Sequence, residues 1–302
     1  MKKSILIAGG SGLVGSRLTE LLDSDKYEIH ILSRSIKQDK RVRYFQWDFD
    51  NMTIDENAVK VDYIINLTGA GIADQRWTDA RKKLLISSRT NSAKLIQQAL
   101  EKTGHKPNAY LSASAVGFYG DRADEILTET SPVGTGFMAE CCQLWENAAQ
   151  EMKPLVERLI INRIGIVLTT KGGALPKILM TKQVGIYNYF GSGKQQYAWI
   201  HIDDLCQLFI DQIENEDFRG IYNAVAPEPL SNKQFTIEIK DALNGNLVLP
   251  APVFGLRLVL GEMANVVLNS TRVIPQRLLE TEFGYTHGEL GKAVIDLVNR
   301  KI

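Results

Sequence analysis

Glycines at positions 9, 12 and 15 separate the apolar run from Ile5 to Ala8 from a stretch of helical spacing that begins at Leu13. A strand, a glycine turn and a helix in that order make a seat for a pyrophosphate. The first glycine permits the bend, the second lets backbone N–H groups reach the anion, and the third lets the helix pack on the strand. The anion then meets the positive end of the helix. Gly9, Ser11, Gly12, Leu13, Val14 and Gly15 are therefore the expected dinucleotide contacts. A glycine pattern alone also serves close packing, and it is the strand–turn–helix context that favours the cofactor. A second strand ends at "ILSRS", where a NAD site places Asp or Glu to accept from the ribose 2′-hydroxyl. Ser33 and Arg34 stand there instead. A guanidinium pairs with a 2′-phosphate, so NADP(H) is expected over NAD unless Arg34 is a solvated strand-end side chain.

Other residue types carry chemistry with less context. Asp48 ends "FQWD", where it either reaches an adenine amino group or caps a turn. Leu67, Thr68, Gly69 and Ala70 end a further strand with mostly small residues that let a ribose and pyrophosphate approach. Arg76 and Trp77 pair a planar cation with a large aromatic, a combination able to grip an anionic or ring-shaped substrate, although Trp77 alone also reads as packing. Gln195, in "GSGKQQYAW", either reads substrate hydroxyls and amides or lies in a surface hairpin. His201, Asp203 and Asp204 supply too few ligands in a defined geometry for a metal, and the aspartates read as helix N-caps. There is no G-x-S-x-G elbow for a serine hydrolase.

These residues need a frame to position them. The chain has 302 residues with 44% hydrophobic content, enough for one large or two unequal domains. Its 35 basic and 35 acidic side chains cancel, which gives no electrostatic footprint for nucleic acid or an anionic membrane. The expected partner is a small molecule. The start, "MKKSILIAGGSG", meets its glycines after an apolar run too short for a signal-peptide core or a membrane span, and reads as the first strand of a cytoplasmic protein. Cys141, Cys142 and Cys206 suit neither a zinc cage nor a disulfide framework and read as small buried residues.

Apolar β-rich runs ("SILIAGG", "EIHILSR", "VRYFQWD", "DYIINLTG", "NAYLSASA", "RLIINRIGIVL") alternate with helical patterns near 13–22, 78–101 and 136–152. Strands without polar alternation imply a parallel sheet covered on both faces. The fold class predicted is α/β: a Rossmann-type doubly wound sheet over 1–170, to which 197–226 returns. A smaller substrate-side region covers 171–302 and closes with helical patterns at 256–268, 275–282 and 289–300. An exposed apolar helix would suit a homodimer, and the sequence singles none out.

The segments "GGSGLVG", "NLTGAG", "SASAVGFYG" and "NRIGIVL" together resemble the extended short-chain dehydrogenase/reductase superfamily of sugar-nucleotide epimerases and dehydratases. "RW" at 76–77, "SSRT" at 87–90, "LWE" at 144–146, "GIVL" and "GGAL" between 165 and 175, and "WIHIDDL" at 199–205 resemble its atypical branch of epimerase family proteins more closely. The likeness runs end to end and includes a C-terminal helical extension that ordinary epimerases lack. It implies hydride transfer with a nicotinamide, a tyrosine acid/base, a lysine four residues on and an assisting serine. Ser114 takes the serine's place; the tyrosine and lysine positions hold Phe137 and Cys141, and a phenyl ring has no proton to transfer. Tyr119 is the nearest replacement by sequence, as acid/base or as a wall of the pocket. Arg89 stands where ordinary members have an asparagine, and there it holds a cofactor or substrate phosphate or lies on the helix surface. The resemblance implies an NADP(H)-binding oxidoreductase or epimerase for a small substrate of the sugar-nucleotide kind. The competing expectation, drawn from Phe137 and Cys141, is a non-catalytic NADP(H)-binding redox sensor or partner-binding module.

Overall fold

The computed structural model describes residues 2–36 and 38–300. Eight strands form its central sheet: β1 (Lys3–Ala8), β2 (Tyr27–Ser33), β3 (Val42–Asp48), β4 (Thr53–Ile54), β5 (Tyr63–Asn66), β6 (Ala109–Ala115), β7 (Leu159–Ile164) and β8 (Gly220–Ala224). Their spatial order is β8-β7-β6-β5-β1-β2-β3-β4. Every neighbouring pair runs parallel except β3 with β4. From β1 the chain steps one way to β2 and β3; from β5 it steps the other way. The topological switch therefore falls between β1 and β5, where a doubly wound sheet opens its crevice.

The unbroken apolar runs follow from burial on both faces. Ile5, Ile7, Ile29 and Leu111 pack into one core with Leu18 of α1 (Leu13–Leu21). Leu6, Ala8, Ile64 and Tyr110 pack into the other, against α2 (Asp79–Thr103) and α3 (Phe137–Gln150). Thr78 caps α2 by accepting from the Arg81 N–H, and Gly104 ends it in the left-handed region at φ 65°.

The second half is woven into the first. α4 (Ile202–Glu214) covers the same face as α1, and β8 follows it to extend the sheet. Outside the sheet, Ile186–Phe190 pairs parallel with Leu247–Ala251 around α5 (Asn232–Ala242), and α6 (Val253–Leu260) follows. α7 (Leu290–Asn299) packs Leu290, Ala293, Val294 and Leu297 into the α1 core. The periodic stretch 256–268 is not one helix: Gly261, at φ +60°, ends α6 and the chain turns there. α6 has no buried residue and leaves Phe254, Leu258 and Val259 exposed. All three cysteines are free and buried. Among the described residues no helix is long and apolar enough to cross a membrane.

Candidate cofactor and substrate cleft

The loop after β1 has the shape that its glycines demand. Gly9 sits at φ +85°, and a Cβ on it would lie 2.9 Å from the carbonyl carbon of Leu67; a Cβ on Gly15 would lie 2.4 Å from the Gly9 carbonyl oxygen. Leu67 in turn donates its N–H to Ala8, so the ends of β1 and β5 lie side by side beneath the loop. Gly12, the N-cap of α1, offers no side chain to its first turn. Orphan N–H donors at that helix end are thus free for an anion. Ser11, Gly12 and Leu13 are exposed there, Val14 is half-buried, and a cavity of about 620 Å³ opens beside them toward Arg17, Thr169 and Arg300.

Ser33 ends β2 half-buried, and Arg34 is exposed just beyond it. Residues 33–36 at that strand end include no acidic side chain. Asp48 belongs to a turn: its carboxylate accepts from the N–H groups of Asp50 and Asn51 and from the Asn51 amide at 2.8, 3.2 and 2.8 Å. Those bonds make Asp48 a turn cap, one of the two sequence readings.

Residues 67–71 cross the top of α2 and are pinned to it. Ser88 accepts from the Ala70 N–H at 3.0 Å, Arg89 donates to the Ala70 carbonyl at 3.2 Å, and Arg81 donates to the Gly71 carbonyl. Arg89 is not a helix-surface residue. Only 9% exposed, it donates also to Leu85 at 2.8 Å and stacks 4.8 Å from the Trp145 ring, while Gly69 leaves room for its guanidinium. Burial pushes its pKa down, and among the described residues it makes no ion pair with a carboxylate. The Thr68 hydroxyl is likewise buried without a partner. A bare loop, an unpaired buried guanidinium and an orphaned hydroxyl together fit an anionic dinucleotide.

Farther out, Trp77 donates its indole N–H to the Ile72 carbonyl at 2.9 Å and meets Phe137 edge-on, with centroids 4.9 Å apart. Arg76, exposed, lays its guanidinium against Gly261. Lys82 lies 5.1 Å from the Phe137 ring centroid and pairs with Glu262 at 2.5 Å. Sequence reasoning missed Lys82 and Glu262. The signal was "ARKKLL": three cations at 81–83 near a helix start oppose the macrodipole and call for another reason to be there. Gln195 is elsewhere. It is 9% exposed and its amide donates to the carbonyls of Phe190 and Val267 and to Asn232, which fastens the hairpin to the 265–268 turn and leaves it no donor for a substrate.

Ser114 and Tyr119 are joined through Glu146 and Arg163 in one buried hydrogen-bonded network. Ser114, 2% exposed, donates to Glu146 at 2.7 Å; Glu146 forms a two-pronged pair with Arg163 at 2.8 and 2.9 Å. Arg163 also donates to the Tyr119 hydroxyl at 3.0 Å, and that hydroxyl donates to Asn223 at 2.6 Å. Tyr119 is fully buried and burial pushes its pKa up, the opposite of what a base at neutral pH requires. Its hydroxyl is engaged by both Arg163 and Asn223.

The "WIHIDD" residues are structural in a way the spacing did not display. His201, not an aspartate, is the N-cap of α4, because the helix begins at Ile202, ahead of both aspartates; its Nδ1 accepts from the Asp203 N–H. Asp203 instead joins Arg17 and Arg300, and Asp204 accepts from the N–H groups of Thr286 and His287. His201, His287 and Asp296 do bring three ligand-type atoms within 4.8 Å of one another. The tautomer that lets Nδ1 accept places the proton on Nε2, facing Asp296 at 3.2 Å, where a metal would need a lone pair.

The sheet order, the switch point and the loop define a Rossmann-type protein of the NAD(P)-dependent epimerase/dehydratase class. The sequence model of the NAD dependent epimerase/dehydratase family matches residues 5–140, and a domain of unknown function (DUF1731) matches 251–297. The epimerase family protein YfhF of Bacillus subtilis strain 168 is 31% identical over 98% of both chains, and the epimerase family protein SSP1921 of Staphylococcus saprophyticus is 33% identical over 98% of this chain and all of that one. Among solved structures, the human epimerase family protein SDR39U1 (isoform 2), crystallised with NADPH, superposes with a TM-score of 0.86 at 28% identity, covering 98% of this chain and 100% of that one. A nucleoside-diphosphate sugar epimerase from Corynebacterium glutamicum gives 0.78 at 30% identity, over 98% of this chain and 58% of that one. The chain belongs to the epimerase family, in the atypical branch of the short-chain dehydrogenases/reductases.

Proposed function

We propose that the protein binds NADP(H) along the carboxyl edge of β1, β2 and β5, and that hydride passes there between the nicotinamide and a small carbonyl or alcohol substrate held near Arg76 and Trp77. The observation that carries this reading is Arg89, a guanidinium buried beside Gly69 with only carbonyls and an indole ring for company. A cofactor phosphate supplies the anion that the fold withholds. In this reading the N–H groups of the 9–15 loop hold the pyrophosphate and Leu67–Ala70 flank the ribose. Arg34 meets the 2′-phosphate, in keeping with the NADPH in the human relative's crystals. The cofactor supplies the hydride; Ser114 and Tyr119 are positioning residues that hold β6 to α3 and β8.

A second reading, cofactor binding without turnover, draws on Phe137 and Cys141 and on the occupied hydroxyls of Ser114 and Tyr119. Calorimetric titration with NADPH, NADH, NADP+ and NAD+ tests what the two readings share. NADPH is expected to bind about tenfold or more tighter than NADH, and Arg34→Ala to abolish the preference. Binding of none of the four overturns both. Oxidation of bound NADPH by any of a panel of aldehydes and ketones favours the first reading over the second.

A further inference from the structure

α2 sets a cation against each of the two α3 positions that lack the family's proton-transfer pair. At the tyrosine position, Phe137 has the Lys82 ammonium 5.1 Å from its ring centroid. At the lysine position, the buried Cys141 thiol feels the charge of Arg89, which stacks on Trp145 one α3 turn farther on. Lys82 and Arg89 are seven residues, or two turns, apart and share one face of α2. Of the two, only an ammonium has a proton it can release, because a guanidinium stays charged. Lys82 is also held. Glu262 Oε2 lies 2.5 Å from its Nζ, on the segment that turns at Gly261, where Arg76 rests. The region 251–297, of no assigned function, thus reaches the mouth of the α2–α3 groove with a carboxylate.

We propose that Lys82 donates the proton to the substrate oxygen in the hydride-transfer reaction, with Glu262 as the residue that positions it; this rests on the NADP(H) reading above. A bound reduced nicotinamide would supply the hydride to the substrate's carbonyl carbon, and the C=O π pair would move to oxygen. That oxygen forms an O–H bond with a proton of Lys82. The N–H bond that breaks leaves its electron pair on a neutral amine, which water reprotonates. One carbonyl becomes one alcohol, the reduced cofactor is oxidised and one solvent proton is consumed. Arg89 supplies fixed charge and no proton.

The test follows Lys82 itself. Lysines are dimethylated with ¹³C-formaldehyde, the Lys82 resonance is assigned by its loss in Lys82→Arg, and its pH titration is recorded free, with NADP+ and with NADPH, after calorimetry on the same sample. The oxidised ring is cationic and the reduced ring neutral. A site within about 6 Å of the ring is expected to titrate about half a pH unit or more lower with NADP+ than with NADPH. Glu262→Gln is expected to shrink the difference between the NADP+ and NADPH titrations, because the ammonium is no longer held in place. Equal midpoints with NADP+ and NADPH, in a protein that binds both, overturn the role of Lys82 and leave the cofactor reading standing. Absence of binding overturns both.

Discussion

Arg163 and Arg89 are both buried, at 3% and 9% exposure, and they are buried differently. Arg163 has a bidentate carboxylate in Glu146, a tyrosine hydroxyl, the Glu129 carbonyl and the Phe118 ring 3.5 Å from its guanidinium carbon. Arg89 has two carbonyls and an indole. A third case, Arg158, separates the two. It lacks a carboxylate as well, yet donates to the carbonyls of Gln212, Asn215 and Phe218, where α4 ends and its dipole is negative. Arg163 is paired by side chains, whereas Arg158 sets its Nη1 against a helix end and keeps its Nη2 buried without a hydrogen-bond partner. Only Arg89 lies beside a glycine turn that leads to the cofactor loop, and that location gives its missing counter-ion a functional meaning.

The contrast breaks most visibly at Glu146. Glu146→Ala leaves Arg163 buried and unpaired and is expected to cost about 3–5 kcal/mol in urea unfolding. His201 shows the escape that arginine lacks. Burial and the neighbouring His287 lower its pKa to about 4 from 6.5, so it is buried neutral. The unfolded chain then takes up this proton at higher pH than the folded one. His201's contribution is fully present above about pH 6.5 and is lost as the pH falls toward 4, about 3 kcal/mol in all, visible in urea midpoints against pH and absent in His201→Phe. Arg89→Met is expected to weaken NADPH binding about 10–100-fold by calorimetry, while the melting temperature without cofactor holds or rises, because a desolvated charge is gone. An equal loss of stability in Arg89→Met and Glu146→Ala would erase the distinction. Tyr119→Phe strands the Asn223 oxygen and one Arg163 N–H, and is expected to lower stability by about 1 kcal/mol with NADPH affinity unchanged. A lost affinity there would place Tyr119 back in the site.

The sequence displayed what adjacent residues decide. Gly9 to Gly15, the strand ends at Ser33 and Leu67, and α2 and α3 to within two residues are all written in local pattern, because a turn, a strand end and a helix face are local objects. It did not display what distant residues share. Ser114, Tyr119, Glu146, Arg163 and Asn223 meet only after three strands and a helix have been laid side by side, so a hydroxyl that looked available in "SASAVGFYG" is already in use. Lys82 and Glu262 are 180 residues apart, and no period links them. Gln195 misled for the same reason: a surface hairpin in sequence is, in space, a clamp on a turn 72 residues later.

The residue order carries a consequence for synthesis. Glycine loop, strand ends and Arg89 all lie within the first 100 residues, whereas Glu262 and the short strand Arg272–Val273, which pairs with Ile126–Leu127, emerge much later. A nascent chain that has already laid down the glycine loop and Arg89 still lacks the partners of Lys82 and of the Ile126–Leu127 strand. The glycine loop and the carboxylate that pairs with Lys82 are thus made at different times, and a ribosome-bound chain stalled before Gly261 holds the first without the second.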